Sequence, residues 1–216
     1  MVPWPEDEWR AMQQEGLAWR AKLRARHGAG TLFLLDGASC SGKSSLVDRL
    51  TAAPGLVDLV PRYSTRERRQ DDQRRREYIF VSQESFRARA DAGAFIEYRD
   101  FLFGMSYGLP WAEAFAPLLE GRPALGVINL GNVEHVKTLM PEAVTILVDA
   151  SLDTIRHRLI ARGVNTPEQI EERLSNAARV QNYRKFYDYV VTNEEGGLTE
   201  AETYLRNLIS SRRAQS

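Results

Sequence analysis

The feature that most constrains the fold is a glycine-rich loop that directly follows an apolar run. Residues 37–44 read GASCSGKS, which fits the pattern G-x-x-x-x-G-K-S, and residues 31–35 before them read TLFLL. This order predicts a buried strand that turns through glycines into a helix, where backbone N–H groups and the positive helix end hold phosphates. The motif predicts that Lys43 reaches the β- and γ-phosphates of a nucleotide and that the Ser44 hydroxyl binds magnesium. The residues expected to contact the nucleotide here are Gly37, Ala38, Ser39, Cys40, Ser41, Gly42, Lys43, Ser44 and Ser45.

Composition narrows the class of protein. The chain has 216 residues, and its 29 Lys and Arg balance its 29 Asp and Glu, so it lacks the positive field of a general nucleic-acid binder. Its single cysteine, Cys40, excludes an internal disulfide; we interpret it as a small residue tolerated in a tight turn, with a redox switch as the alternative. No apolar run approaches the ~20 residues of a membrane span, and the start has no secretory signal. We therefore expect a cytoplasmic protein that acts on small molecules.

Further apolar runs predict the rest of a sheet. Ala124–Leu130 and Ala143–Val148 are almost continuously apolar, as expected of parallel strands with helices on both faces. Tyr189–Val191 is predicted to be a last short strand, and Leu198–Ile209 a closing amphipathic helix. Strands and helices alternate, so the predicted fold class is α/β, with a central parallel sheet of about five strands and helices on both faces.

A leader at residues 4–27 precedes this core. Its pattern predicts one or two short stretches of helical turns, and Gly28 to Gly30 would end them. We expect the leader to pack on the core; dimerisation and covering of the site are alternatives. Apolar side chains recur among its charges at Trp9, Met12, Leu17, Trp19 and Leu23.

The most charged stretch lies between the first two core strands. Arg62–Arg69 and Arg74–Arg76 are rich in arginine, and such a run taken alone indicates a solvated face or a nucleic-acid patch. The next segments of the chain change that interpretation, because Glu77–Phe86 and Phe95–Tyr98 add an ordered series of aromatic and acidic residues.

The order and spacing of these segments resemble the guanylate kinase family, P-loop enzymes that move a phosphoryl group from ATP to GMP. Ser64–Arg69 is similar to the family's run of two threonines, an arginine, two residues and a second arginine. Glu97 stands where the family has its base-reading glutamate. The resemblance runs from about residue 31 to 209 and also includes Tyr78–Phe86, Tyr107–Gly108, the lid-like segments 158–163 and 170–174, and the closing strand 188–193.

The resemblance implies a P-loop kinase fold in three parts. It implies a kinase domain at residues 29–216, with an acceptor-binding insert at 62–122 and a lid at 152–175, preceded by an extra N-terminal extension at 1–28. The implied cofactors are ATP and Mg²⁺, and the implied partners are small-molecule nucleotides, with no nucleic acid or membrane. A monomer and a homodimer both remain open.

The resemblance also assigns roles to the acceptor residues. Arg66, Arg69, Tyr78 and Tyr107, beside Ser64, would clamp the acceptor phosphate, whose charge suits fork-shaped guanidinium groups and phenolic hydroxyls.

The lid and the closing strand carry the implied contacts to ATP. Arg162 and Arg173 would close over the ATP phosphates and exclude water. Arg158 would either join them or pair with a neighbouring acid, and Asn193 would contact the nucleotide.

The base pocket departs from the family pattern. Glu97 is retained, and a carboxylate that accepts from N1–H and the 2-amino group selects guanine. The family's serine is replaced by Arg62, its hydroxyl residue after Tyr-Gly by Leu109, and its aspartate at the end of the second core strand by Asn129. Either Arg62 donates to O6 and N7 of guanine, or the pocket has been rebuilt for a modified purine or another phosphorylated metabolite.

Two other classes of function stay open at this point. A non-catalytic guanylate-kinase-like interaction module would have no use for Lys43, Ser44 and the lid arginines. A kinase for an antibiotic hydroxyl would not need the phosphate clamp, because that acceptor has no phosphate. The three histidines, His27, His135 and His157, show no metal-ligand spacing.

Overall fold

A computed structural model of the chain describes residues 4–68, 77–101, 104–163 and 165–213. The helices are α1 (Glu6–Arg24), α2 (Lys43–Thr51), α3 (Gln83–Asp91), α4 (Trp111–Leu119), α5 (Val133–Leu139), α6 (Leu152–Ala161), α7 (Pro167–Arg179) and α8 (Leu198–Arg213), and a 3-10 helix spans Val180–Phe186. The strands are β1 (Leu32–Asp36), β2 (Asp58–Leu59), β3 (Arg62–Ser64), β4 (Tyr78–Phe80), β5 (Phe95–Phe101), β6 (Met105–Pro110), β7 (Ala124–Val127), β8 (Val144–Asp149) and β9 (Tyr189–Thr192). None of the helices in these ranges combines the length and the apolar composition that crossing a membrane requires.

Five parallel strands form the central sheet, in the order β2-β7-β1-β8-β9. Every residue of β1 is buried because helices cover both faces. Leu32 and Leu34 belong to one apolar cluster, and Phe33 and Leu35 belong to a second cluster with residues of α2 and α8. This alternation is the period of a strand with two covered faces. The predicted fold class is confirmed, although β7 ends at Val127, three residues before the predicted end.

A second sheet carries the acceptor residues that the sequence predicts. Its order is β4-β3-β6-β5; β3 and β4 are parallel, and the other pairs are antiparallel. Helix α3 is capped by the Ser82 hydroxyl, which accepts from the Ser85 N–H at 3.1 Å. A β-bulge in β5 lies between Phe95 and Glu97, where the register to β6 shifts.

Helices α6 and α7 form a hairpin after β8. The α7 helix begins with a capping box, in which the Thr166 hydroxyl accepts from the Gln169 N–H and the Gln169 side chain accepts from the Thr166 N–H. Pro167 follows at the first helical position, where a missing N–H costs nothing. These local signals fix the residue at which α7 starts.

The leader forms one helix of 19 residues, longer than the short stretches that its pattern predicts. Met12 is fully buried in the larger apolar cluster. Trp4 stacks on Trp9 with ring centroids 5.7 Å apart, and the Tyr98 hydroxyl of β5 donates to the Glu8 carboxylate. The leader therefore packs on the chain's own core and on the second sheet.

Replacing Met12 by alanine should destabilise the protein by about 2–5 kcal/mol, because it removes a fully buried side chain and leaves a cavity. Leu17 is the matched control, since it lies on the same helix and is 64% exposed. Leu17→Ala should change the free energy of unfolding by less than about 0.5 kcal/mol. Urea unfolding of both variants measures the difference, and equal effects would show that α1 is not part of the cooperative core.

Candidate active site

The loop between β1 and α2 depends on glycine at both ends. Gly37 has φ +148°, and a Cβ there would stand 2.2 Å from the Val148 carbonyl oxygen. Gly42 has φ +101°, and a Cβ there would stand 2.0 Å from Asn193 Nδ2. Asn193 Nδ2 occupies that space because it donates to the Ser41 carbonyl at 2.7 Å, which ties the end of β9 to the loop. Cys40, half-buried with a free thiol, has φ +63°.

Replacing Gly42 by alanine should lower affinity for ATP by about 100-fold, because left-handed strain and displacement of Asn193 both distort the loop. Gly55→Ala is the matched control: its φ is +71°, but a Cβ there would meet nothing within 4 Å. Isothermal titration with ATP compares the two variants. If Gly55→Ala weakens ATP binding as much, the loss would come from general backbone strain and not from the loop.

Lys43 is the first residue of α2, and its side chain turns back into the loop. Its Nζ donates to the Ala38 carbonyl at 2.8 Å and to the Gly37 carbonyl. Burial lowers the pKa of Lys43 to about 8, although the nearby Asp36 carboxylate acts in the opposite direction. The ammonium group thus lies in the concave side of the loop, where phosphate oxygens could replace the carbonyls as its partners.

Asp36 and Tyr187 hold the start of the loop through hydrogen bonds, and sequence reasoning missed both residues. Asp36 Oδ1 accepts from the Gly37 N–H at 2.6 Å, and Oδ2 accepts from the Tyr187 hydroxyl. Burial raises the pKa of Asp36. The available signal was a carboxylate at the carboxyl end of an otherwise apolar strand, where ligand sites of parallel sheets are found.

The α6–α7 hairpin reaches the loop through two arginines. Arg173 Nη1 donates to the Ser39 hydroxyl at 2.9 Å. Arg158 donates to the backbone carbonyls of Cys40 at 3.3 Å and Glu194 at 2.9 Å. Arg162 follows the last turn of α6 and lines the same cavity as the loop.

One cavity of about 690 Å³ joins the loop to the second sheet. Phe101, Glu77 and the end of β7 complete its walls. Six predicted residues in the described ranges do not line it: Ser41, Ser64, Arg66, Glu97, Tyr107 and Arg173. The predicted residues that do line it are Gly37, Ala38, Ser39, Cys40, Gly42, Lys43, Ser44, Ser45, Arg62, Tyr78, Asn129, Arg158, Arg162 and Asn193.

Tyr78 lines the second-sheet end of this cavity, and Arg66 packs against Tyr78 without lining the cavity itself. The Arg66 guanidinium lies 4.8 Å from the centroid of the Tyr78 ring and 5.0 Å from that of Phe80, so two aromatic faces hold it. Tyr107 packs edge-on against Tyr78, with ring centroids 6.0 Å apart. Ser64 is fully buried, and its hydroxyl accepts from the Arg66 N–H at 3.3 Å, which positions the arginine backbone. Arg69, predicted as the second arginine of the clamp, lies outside the described residues.

Glu97 is fully enclosed by side chains of the chain itself. Asn129 Nδ2 donates to its Oε2 at 2.9 Å, and Asn132 Nδ2 donates to the same oxygen at 2.6 Å. Arg62 Nη2 lies 3.7 Å from Oε1 and donates to Asn129 Oδ1 at 2.6 Å. Burial raises the pKa of Glu97, while Arg62 and the two amides act in the opposite direction. Leu109 is also fully buried.

Asn132 is the member of this group that sequence reasoning missed. The available signal was an amide three residues after Asn129, in the turn that follows β7.

The residues near Ser44 fit a magnesium ion that is held mainly by nucleotide phosphates and water. Ser44 lines the cavity one residue after Lys43. Within the ranges that the structure describes, no three His, Cys, Asp or Glu side chains come together as a metal site. Mg²⁺ commonly uses few protein ligands besides substrate phosphates and water, so one hydroxyl beside the phosphate loop suits it.

Comparison with known proteins places the chain in a family. The sequence model of guanylate kinase matches residues 29–212. The chain belongs to the guanylate kinase family. The guanylate kinase of Hahella chejuensis is 34% identical over 167 residues, which cover 77% of this chain and 80% of that one. The guanylate kinase of Neisseria meningitidis serogroup A is 32% identical over 183 residues, covering 84% and 88%.

A solved guanylate kinase structure supports the fold. The crystal structure of guanylate kinase from Anaplasma phagocytophilum superposes with a TM-score of 0.67 and 23% identity, covering 86% of this chain and 87% of that chain. The family match covers residues 29–212, and helix α1, at Glu6–Arg24, precedes the matched residues.

Proposed function

We propose that this chain is a guanylate kinase that transfers the γ-phosphoryl group of ATP to GMP, or to dGMP, and so forms the diphosphate and ADP. The observation that carries the proposal is the single cavity that joins the phosphate loop to the aromatic and arginine side chains of the second sheet. Family membership supports it, because the relatives from H. chejuensis and N. meningitidis are named guanylate kinases.

The loop is the proposed site of the ATP phosphates. Gly37 and Gly42 take backbone conformations that bend the loop around the cavity, where phosphate would meet the positive end of α2. Lys43 would neutralise the β- and γ-phosphates, and Ser44 would hold Mg²⁺, which when bound would supply positive charge between the phosphate oxygens. The Asp36 carboxylate holds the Gly37 N–H and thereby fixes the start of the loop.

The second sheet is the proposed site of the acceptor. Arg66 and Tyr78 would hold the acceptor phosphate by charge-assisted hydrogen bonds, and Tyr107 and Arg69 would complete the clamp. Phosphoryl transfer needs mainly alignment and charge neutralisation. An oxygen of the acceptor phosphate attacks the γ-phosphorus in line, and the bond from that phosphorus to the β,γ-bridging oxygen breaks, which leaves ADP.

The hairpin of α6 and α7 is the proposed lid. Arg173 and Arg162 would stabilise the negative charge on the transferring group and exclude water. Arg173 already contacts Ser39 of the loop, and Arg158 contacts the Cys40 carbonyl, so small movements would bring both onto bound phosphates.

The proposed function is tested by incubating the full chain with Mg-ATP and a panel of nucleoside monophosphates and sugar phosphates. Formation of ADP with GMP and dGMP, and little with AMP or CMP, is the expected result. Consumption of ATP only with a sugar phosphate would replace the proposed acceptor. The absence of ATP binding would overturn the kinase and favour an interaction module.

A further inference from the structure

The carboxylate of Glu97 is buried and does not line the cavity. Its exposed fraction is 0%, and it accepts three amide contacts: from Asn129 Nδ2 at 2.9 and 3.2 Å and from Asn132 Nδ2 at 2.6 Å. The Arg62 guanidinium adds a positive charge 3.7 Å away. A carboxylate has about four lone-pair sites, so the chain's own donors already occupy most of them.

Arg62 and Asn129 depend on each other in this arrangement. The orientation of the Asn129 amide is fixed on both sides, because Oδ1 accepts from Arg62 Nη2 at 2.6 Å and Nδ2 donates to Glu97 and to the Tyr107 carbonyl. An aspartate at 129 would place a second carboxylate within about 3 Å of Glu97, since Nδ2 now lies 2.9 Å from Oε2. A serine at 62 would leave Asn129 Oδ1 without this donor. The two residues therefore act as one unit that neutralises Glu97.

The enclosed state is not fully satisfied at Arg62. Its Nε is buried and has no hydrogen-bond partner among the described residues, although Arg62 and Asn129 both line the cavity. The Tyr107 ring, 5.4 Å from the guanidinium carbon, gives Arg62 an aromatic face along which to move.

We propose that Arg62 and Asn129 together determine acceptor specificity: Asn129, held in place by Arg62, supplies to Glu97 amide donors where a guanine base would otherwise donate, so that guanine must displace this pair to bind. This inference rests on the proposed acceptor site but not on catalysis. The Asn129 amide donates to both carboxylate oxygens of Glu97, the acceptors that the N1–H and 2-amino group of guanine would need. Consequently the chain binds GMP weakly and discriminates poorly between GMP and IMP, which lacks the 2-amino group.

The test measures binding of GMP and IMP to the full-length chain by calorimetry, without ATP. Arg62→Ser should tighten GMP binding by about tenfold and leave IMP nearly unchanged, because Asn129 then loses the donor that fixes its orientation, its amide can turn away from Glu97, and the carboxylate can accept from the 2-amino group. Arg10→Ser is the matched control, since Arg10 is exposed and pairs only with Glu6 on its own helix among the described contacts.

The inference is overturned if Arg62→Ser weakens GMP binding, because that result would mean that Arg62 binds the base directly. It is also overturned if the ratio of GMP to IMP affinity stays as in the unmodified chain. If Arg62→Ser fails to fold, Arg62→Met keeps a long side chain but removes the N–H donor to Asn129, and the same rise in the ratio is expected. A rise in the ratio of GMP to IMP affinity without ADP formation in the kinase assay would support this inference and refute the proposed kinase reaction. ADP formation with no rise in that ratio would support the kinase reaction and refute this inference.

Discussion

Replacing Lys43 by alanine should lower kcat/KM for ATP by about 10³-fold, because it removes the positive charge that faces the transferring phosphates. The Nζ atom now binds the carbonyls of Gly37 and Ala38, inside the curve of the loop. Phosphate oxygens can take over these contacts, whereas no side chain at position 43 shorter than lysine reaches them. Steady-state assays with GMP as acceptor measure the loss.

The fold of Lys43→Ala should remain intact, because two effects on stability oppose each other. The variant loses two hydrogen bonds to loop carbonyls, but it also removes a charge that burial disfavours. Lys137→Ala is the matched control, because Lys137 Nζ also donates to a backbone carbonyl, that of Ala143 at 3.0 Å, and pairs with Asp188 outside the cavity. It should lower stability and spare kcat/KM; near-normal turnover of Lys43→Ala would remove the loop lysine from the mechanism.

The same lysine predicts a pH dependence. Its pKa in the folded chain is about 8, below the ordinary 10.5, because burial disfavours the ammonium form. As pH rises through 8, the free protein loses this charge, so affinity for ATP should fall there, and Lys43→Ala should lack that fall. The contribution to stability has the opposite sign: between about 8 and 10.5 the unfolded chain holds the extra proton, so stability from this group rises with pH.

The sequence predicts the phosphate loop well because its determinants are contiguous. Strand β1, the two glycines and Lys43 lie within 12 residues, and each part of the motif dictates its own backbone geometry. The central sheet is predictable for a similar reason, since continuous apolar runs at β7 and β8 permit little except strands covered on both faces. The order of strand, loop and helix at this end of the cavity could therefore be predicted from the sequence, whereas Gly196 and Leu198, which also line it, were not predicted.

The acceptor pocket is less predictable because its contacts join distant segments. Asn129 is 32 residues from Glu97 and 67 from Arg62, so neither the enclosure of the glutamate nor the role of Asn132 follows from local patterns.

The buried face of the leader helix is hard to predict for another reason. Leu17 belongs to the apolar pattern of the leader but is 64% exposed, while Gly16 packs against Trp111, so the surface that α1 packs on decides which of its residues are buried.

Replacing Arg173 by alanine should lower kcat by about 10³-fold and change the affinity for ATP by less than about tenfold. An arginine that meets the γ-phosphoryl group when the lid closes acts mainly in the transition state, where charge on the transferring oxygens is greatest. Its position supports this role: it lies on α7, yet its Nη1 reaches Ser39 of the loop at 2.9 Å. Rapid-quench measurement of a single turnover separates the chemical step from binding.

Three comparisons decide whether Arg173 acts on phosphate or only holds the lid. Arg156→Ala is the matched control, because Arg156 lies on the same hairpin and pairs with Glu171 at 2.6 Å on its surface; it should leave kcat within about twofold. Ser39→Ala removes the present partner of Arg173 and should also have a small effect. Arg173→Lys should recover only part of the rate, since it keeps the charge but loses the planar fork. If Ser39→Ala matches the loss in Arg173→Ala, the contact between lid and loop, and not a contact with phosphate, accounts for the role of Arg173.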